Sequence, residues 1–167
     1  YQGGGTHLSD VAIAKPVFFS DQLVAFTVNK AHWVDVGGMA PGSFTTDATE
    51  IFQEGLQLPT VKIFERGEAI NSVMDILKAN IRMPDSSMGD FWAGMAANSV
   101  GESRLHELLQ KYGFETVNKA ITELLDYGEK MIAAEIKNLP QGTFYAEDWI
   151  DDDGLGSAPL KVCVKVT

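Results

Sequence analysis

Two short patterns carry the chemistry of this chain. His7-Leu8-Ser9-Asp10 and His32-Trp33-Val34-Asp35 each place a carboxylate three positions after an imidazole. The chain has only three histidines, and two of them head this pattern. The second copy follows the first at an offset of 25 residues for both its His and its Asp. Neutral imidazole nitrogens and carboxylate oxygens together suit a divalent zinc, manganese or iron ion. Two of each would supply four ligands and two negative charges, enough to balance a dication. The expected metal ligands are His7, Asp10, His32 and Asp35; two structural histidines, each hydrogen-bonded to a nearby carboxylate, are the alternative reading. Bound by the four ligands, an ion would lower the pKa of a water molecule and deliver hydroxide to an activated carbon.

The elements around these residues explain how they would meet. Val11 to Phe19 is rich in Val, Ile and Phe and reads as a strand, with Pro16 marking an edge or a bulge. A polar break at Ser20-Asp21-Gln22 precedes a second strand through Leu23, Val24, Phe26 and Val28. The spacing suits a hairpin. Its open ends would bring the pair before the first strand beside the pair after the second. Gly3, Gly4, Gly5, Gly37 and Gly38 leave room there for backbone and substrate. Thr46-Asp47 is a candidate cap for a short helix through Ile51 and Phe52, on which Glu50 and Glu54 share a face. Glu54 is the candidate acid–base group. Val61 to Phe64 reads as a further strand closed by Arg66-Gly67.

The middle of the chain is helical. Ile70, Val73, Met74 and Leu77 recur at helix spacing up to Pro84. A long helix from Ser86 or Ser87 to Tyr112 carries Met88, Phe91, Trp92, Met95 and Ser99 on one face, and Gly113 is its stop. Another runs from Thr116 to Asn138, with Val117, Ile121, Leu124, Leu125, Met131, Ile132 and Ile136 as its apolar stripe. The two read as an antiparallel pair. Strands return at Thr143-Phe144-Tyr145 and at Leu160 to Val166, where Cys163 shares a face with Lys161 and Lys165. The fold class is α+β. The expected division is a β/loop metal-binding part at 1–67, a helical part at 68–140 and a β part at 141–167, forming one domain or a fragment of a larger subunit.

Composition narrows the function. The formal net charge of −10 argues against nucleic acid and anionic lipid, which draw on clustered Lys and Arg. Glu147, Asp148 and Asp151 to Asp153 read as a solvated loop. A single cysteine, Cys163, builds no disulfide framework, and a cytoplasmic setting is expected. No apolar run reaches the length of a membrane span, and no signal peptide is visible. Gly3-Gly4-Gly5 lacks the Lys-Ser/Thr end of a phosphate loop, Ser43 has no nucleophile-elbow context, and His106 reads as a surface helix residue. The start at Tyr1, running straight into glycines, reads as an entry into a longer protein, so a missing domain or partner is expected.

Tyr1 to Asp10 resembles the segment Asn-Asp-Pro-Tyr-x-Gly-Gly-Thr-His-x-x-Asp of the hydantoinase B/oxoprolinase family. Ala31 to Gly38, followed by Pro41-Gly42-Ser43, is similar to that family's His-x-x-Asp-x-Gly-Gly loop. Glu50 to Gly55, Pro59 to Lys62, Gly89-Asp90, Ala96 to Asn98, Gly101 to Arg104 and the acidic run near Asp151 come in the family's order. Trp33 stands where the family usually has a second consecutive His. The resemblance implies a metal-dependent catalytic subunit that opens a hydantoin, 5-oxoproline or lactam ring. It also implies a hydantoinase A-type partner that binds ATP with magnesium and phosphorylates the substrate carbonyl, so a hetero-oligomer. An acetone- or acetophenone-type carboxylase subunit and a non-catalytic interaction module are the alternatives.

Overall fold

In the computed structural model, which describes residues 7–167, the order of elements is β, then α, then β, and the mixed α+β class holds. The strands are β1 (Asp10–Phe19), β2 (Gln22–His32), β3 (Phe64–Glu65), β4 (Glu68–Ala69), β5 (Phe144–Ile150) and β6 (Leu160–Val166). The helices are α1 (Asn71–Asn80), α2 (Pro84–Tyr112) and α3 (Phe114–Asn138). Two compact units divide the chain, Tyr1–Glu107 and Leu108–Thr167. Among the described residues no helix is long and apolar enough to cross a membrane.

The first unit is built on the β1–β2 hairpin. The strands pair antiparallel from Asp10↔His32 to Phe19↔Gln22, with a bulge between Val17 and Phe18, one residue past Pro16. Side chains alternate across the sheet. Val11, Ile13, Lys15 and Val17 of β1 share the inner face with Ala25, Thr27, Asn29 and Ala31 of β2, and Ile13 and Val17 are buried. Helix α2 lies against this inner face. Asn29 Nδ2 donates to the Gly94 carbonyl at 2.7 Å, Thr27 Oγ1 to the Asn98 carbonyl at 3.1 Å, and Asn98 Nδ2 to the Ile13 carbonyl at 2.9 Å. Lys15 pairs with Glu102 at 2.6 Å. His106, expected as a surface residue, places Nε2 2.9 Å from the Phe18 carbonyl and so helps hold the hairpin's turn end.

Pro84 opens α2 ahead of the expected start at Ser86 or Ser87, since a proline is well tolerated in a first helical turn. Met74 and Leu77 of α1 and Met88 and Phe91 of α2 join Ile13, Trp33, Val36 and Ile81 in the core. The helix expected from Thr46-Asp47 is a single 3₁₀ turn at Ile51–Gln53. Its cap is Glu50, because the Gln53 side chain accepts from the backbone N–H groups of Thr49 and Glu50 and closes the turn there. Glu50 and Glu54 therefore flank one turn and do not share a helix face. The strand expected at Val61 to Phe64 is the short β3, joined to β4 through Arg66 and Gly67, both at positive φ.

In the second unit, β5 and β6 pair from Phe144↔Val166 to Ile150↔Leu160 without a bulge. Glu147↔Cys163 and Tyr145↔Lys165 share one face, so Cys163 does lie with the lysines, and it is a free thiol. Apart from the buried Val117, the stripe of α3 expected to seal an antiparallel helix pair is exposed, with Leu124 and Leu125 at 68% and 70%. Gly113 alone separates α2 from α3, where helix reversals usually take about two to eight residues.

Close approach of α2 to the hairpin depends on its small residues. A Cβ on Gly94 would lie 2.9 Å from Asn29 Oδ1 and 3.1 Å from Ile13 Cδ1. Gly94→Val is expected to destabilise the chain by about 1–3 kcal/mol through overpacking. A denaturant midpoint equal to wild type would show that helix and hairpin do not need this contact.

Candidate metal centre

The register of the hairpin assembles the site. Asp10 is the first residue of β1 and faces His32, the last residue of β2. Both lie on the outer face of the hairpin, opposite the face that carries α2. His7 reaches them through a tight turn: Asp10 N–H donates to the His7 carbonyl at 3.4 Å, and Val11 and Trp33 N–H both donate to the Ser9 carbonyl, at 3.0 and 2.8 Å. This turn ties the entry of β1 to the exit of β2.

Three ligand atoms then converge. His7 Nε2 is 3.0 Å from Asp10 Oδ1, His32 Nδ1 is 3.2 Å from the same oxygen, and the two nitrogens are 3.1 Å apart. The rings meet edge to face with centroids 5.0 Å apart. His7, Asp10 and His32 are the one such group of possible metal ligands among the described residues. Donor atoms bonded to one ion at about 2.1 Å lie about 3.0 Å apart when the bonds are perpendicular and about 3.4 Å apart when they are tetrahedral. The observed triangle therefore fits three ligands capping one side of an ion, with the opposite side open.

Lys30, which the sequence reading passed over, completes the surroundings. It lies two residues before His32, on the same face of β2, and its Nζ is 2.7 Å from Asp10 Oδ2. The hydrogen bond from Lys30 is the largest influence on the Asp10 carboxyl. Together with His32 and His7 it outweighs partial burial and holds the pKa down to about 2.

Asp35, the fourth expected ligand, is not in this group. Its side chain is 2% exposed and both oxygens are committed elsewhere. Oδ1 accepts from Gly37 N–H at 2.7 Å, and Oδ2 from Gly42 N–H at 2.8 Å and from Arg82 Nη1 at 3.1 Å. Arg82 also donates to the carbonyls of Gly37, Ala40 and Gly38, so the loop from Asp35 to Gly42 is wound around one ion pair. Ser43 Oγ accepts from Val36 N–H and donates to the Gly37 carbonyl, both at 2.7 Å. The expected two-carboxylate charge balance becomes one carboxylate with an ammonium in contact.

The remaining candidates fall outside the triad. Glu54 is half-buried at the end of the 3₁₀ turn, and its carboxylate has no hydrogen-bond or ion-pair partner among the described residues. Gly37 and Gly38 give room to backbone: a Cβ there would lie 2.5 Å from the carbonyl oxygens of Asn80 and Gln53 respectively. Trp33 is 2% exposed within the core and makes no open contact surface. Gly3, Gly4 and Gly5 lie outside the described residues.

A family model described as hydantoinase B/oxoprolinase matches residues 1–167. The chain belongs to the hydantoinase B/oxoprolinase family. Within that family it is similar to the B-type subunit of a putative D-/L-hydantoinase from a Pseudomonas species, 42% identical over 149 residues, covering 89% of this chain and 25% of that protein. The crystal structure of ATP-dependent caprolactamase from Pseudomonas jessenii superposes with a TM-score of 0.87 at 36% identity, over 98% of this chain and 28% of that one. The acetophenone carboxylase delta subunit of Aromatoleum aromaticum is 27% identical over 161 residues, covering 96% of this chain and 24% of that protein. The chain spans about a quarter of the length of these family relatives.

The Asp35–Arg82 pair sets a testable stability term. Burial is the largest single influence on Asp35 and pushes its pKa up. The donors from Gly37, Gly42 and Arg82 together outweigh it and leave the carboxyl below its ordinary value. A lowered folded pKa means stability that is present in full above the ordinary aspartate range and lost as pH falls through the lowered value. Arg82→Ala is expected to cost about 3 kcal/mol, the low end for a broken buried pair because Arg82 is partly exposed. Asp35→Asn should flatten the acid limb of stability measured by denaturant unfolding from neutral pH downward. A limb as steep as wild type would deny Asp35 this role.

Proposed function

We propose that this chain is the metal-holding part of the catalytic subunit of an ATP-dependent cyclic amide hydrolase, and that His7, Asp10 and His32 bind one divalent cation. The observation that carries this reading is the convergence of His7 Nε2, Asp10 Oδ1 and His32 Nδ1 within 3.0 to 3.2 Å of one another. The near-perpendicular spacing suits manganese or iron with six ligands better than tetrahedral zinc. A cation held there supplies Lewis acidity to the substrate oxygen and charge stabilisation to the attacking one. His7 and His32 present neutral nitrogens, and Asp10 presents one oxygen. Asp35 keeps the loop after His32 in place rather than binding the ion. Glu54 is assigned the proton transfer, since its carboxylate is otherwise uncommitted.

ATP enters through a partner in this reading. A hydantoinase A-type subunit binds it with magnesium and phosphorylates the amide oxygen, and the assembly is a cytoplasmic hetero-oligomer. Support comes from relatives named as a D-/L-hydantoinase subunit and an ATP-dependent caprolactamase. The likeness to an acetophenone carboxylase subunit favours a second reading, in which the same site orients bicarbonate-derived carbon dioxide against the phosphoenol of a ketone.

His32→Ala is expected to reduce bound metal to under a tenth of wild type and to abolish ring opening, as read by elemental analysis alongside a lactam-hydrolysis assay. Full activity in metal-stripped protein would refute the reading. Incorporation of labelled bicarbonate into a ketone, with no ring opening, would select the carboxylase instead.

A further inference from the structure

The two oxygens of Asp10 have different neighbours. Oδ1 faces His7 and His32, at 3.0 and 3.2 Å, while Oδ2 accepts from the Lys30 ammonium at 2.7 Å. The hairpin register brings this about. Lys30 faces Ala12, whose small side chain lets the lysine lean diagonally along the sheet toward Asp10. Lys30 itself is 56% exposed, so the core does not hold it there. A carboxylate can bind a cation through one oxygen or through both. An oxygen engaged by a charged donor at this distance is a poorer second ligand, since the ammonium occupies one of its lone pairs and repels the ion.

We propose that Lys30 is a positioning residue that confines Asp10 to one-oxygen binding and so keeps a coordination position open for substrate. This rests on the metal reading above. It makes a distinctive demand. Loss of a merely structural support would weaken metal binding, as disturbing a ligand's partners usually does. Loss of Lys30 should not weaken it, because the ammonium repels a cation and its removal lets Asp10 bind through both oxygens. What is lost is the open position.

The experiment loads the complete protein with manganese(II) and measures water-proton relaxation and manganese affinity. Three protein ligands on a six-coordinate ion leave about three exchangeable waters, and a two-oxygen Asp10 leaves about two. Lys30→Met and Lys30→Ala are expected to lower the relaxivity of bound manganese by about a third, with affinity equal to or above wild type and turnover reduced about tenfold or more. Lys30→Arg, which keeps a charged donor for Oδ2, should restore the wild-type relaxivity. Unchanged relaxivity in both neutral variants would overturn the assignment of Lys30 while leaving the triad intact. Wild-type protein that shows no relaxation change with manganese would overturn the metal reading and this one with it.

Discussion

The pairing of Asp10 with His32 across the mouth of the β1–β2 hairpin is the constraint on which the site depends. Side chains alternate along a strand, so a slip of one residue would send His32 to the face covered by α2. The inner face forbids that slip. Asn29, Thr27 and Lys15 each have a specific partner on α2, and the Asn98 amide reaches back to the Ile13 carbonyl. No buried side-chain polar atom lacks a partner among the described residues. A shifted register would strand several of these groups, and each buried group left unpaired costs about 1–3 kcal/mol. The polar ladder inside thus fixes the chemistry outside.

A second device fixes the loop after β2. The Asp35–Arg82 pair gathers Gly37, Gly42 and the carbonyls between them into one folded segment. That segment leaves directly from His32 and Trp33, and Trp33 is anchored in the core. His32 is therefore held from both sides, by the ladder of β2 and by the loop beyond it. Its imidazole remains exposed, which the proposed metal role requires.

Much of this was legible before any coordinates. Enrichment in Val, Ile and Phe on either side of a polar break marked the hairpin, and period-3.6 spacing marked α1, α2 and α3. The matched His-x-x-Asp copies bring three of their four groups together, and the reason the fourth stands apart is geometric. In the first copy the Asp opens the strand and the His lies in the turn before it. In the second the His closes the strand and the Asp lies in the loop after it. Equal spacing in sequence thus gave opposite local geometry, and only three of the four groups share a face. Lys30 was readable in principle, two residues from His32 on one strand face. Arg82 was not, because no local pattern ties an arginine before Pro84 to a carboxylate 47 positions earlier. Periodicity marked the apolar stripes of α3 and β6 without identifying what they pack against. Those faces remain exposed here, in a chain a quarter the length of its relatives.

With Asp35 committed to Arg82 and Lys30 set against Asp10, the described residues of the site offer little negative charge. Two neutral imidazoles and one carboxylate already contacted by an ammonium compensate little of a dication's charge. On the metal reading, the open side then favours a ligand that brings negative charge of its own. A phosphorylated amide oxygen does so, and so does bicarbonate before it yields carbon dioxide. They belong to the two reactions proposed for this site, ring opening and carboxylation. One triad with one nearby cation is therefore compatible with either chemistry, because it selects for charge on the oxygen rather than for the carbon skeleton behind it. Discrimination between substrates falls to residues that surround the open face.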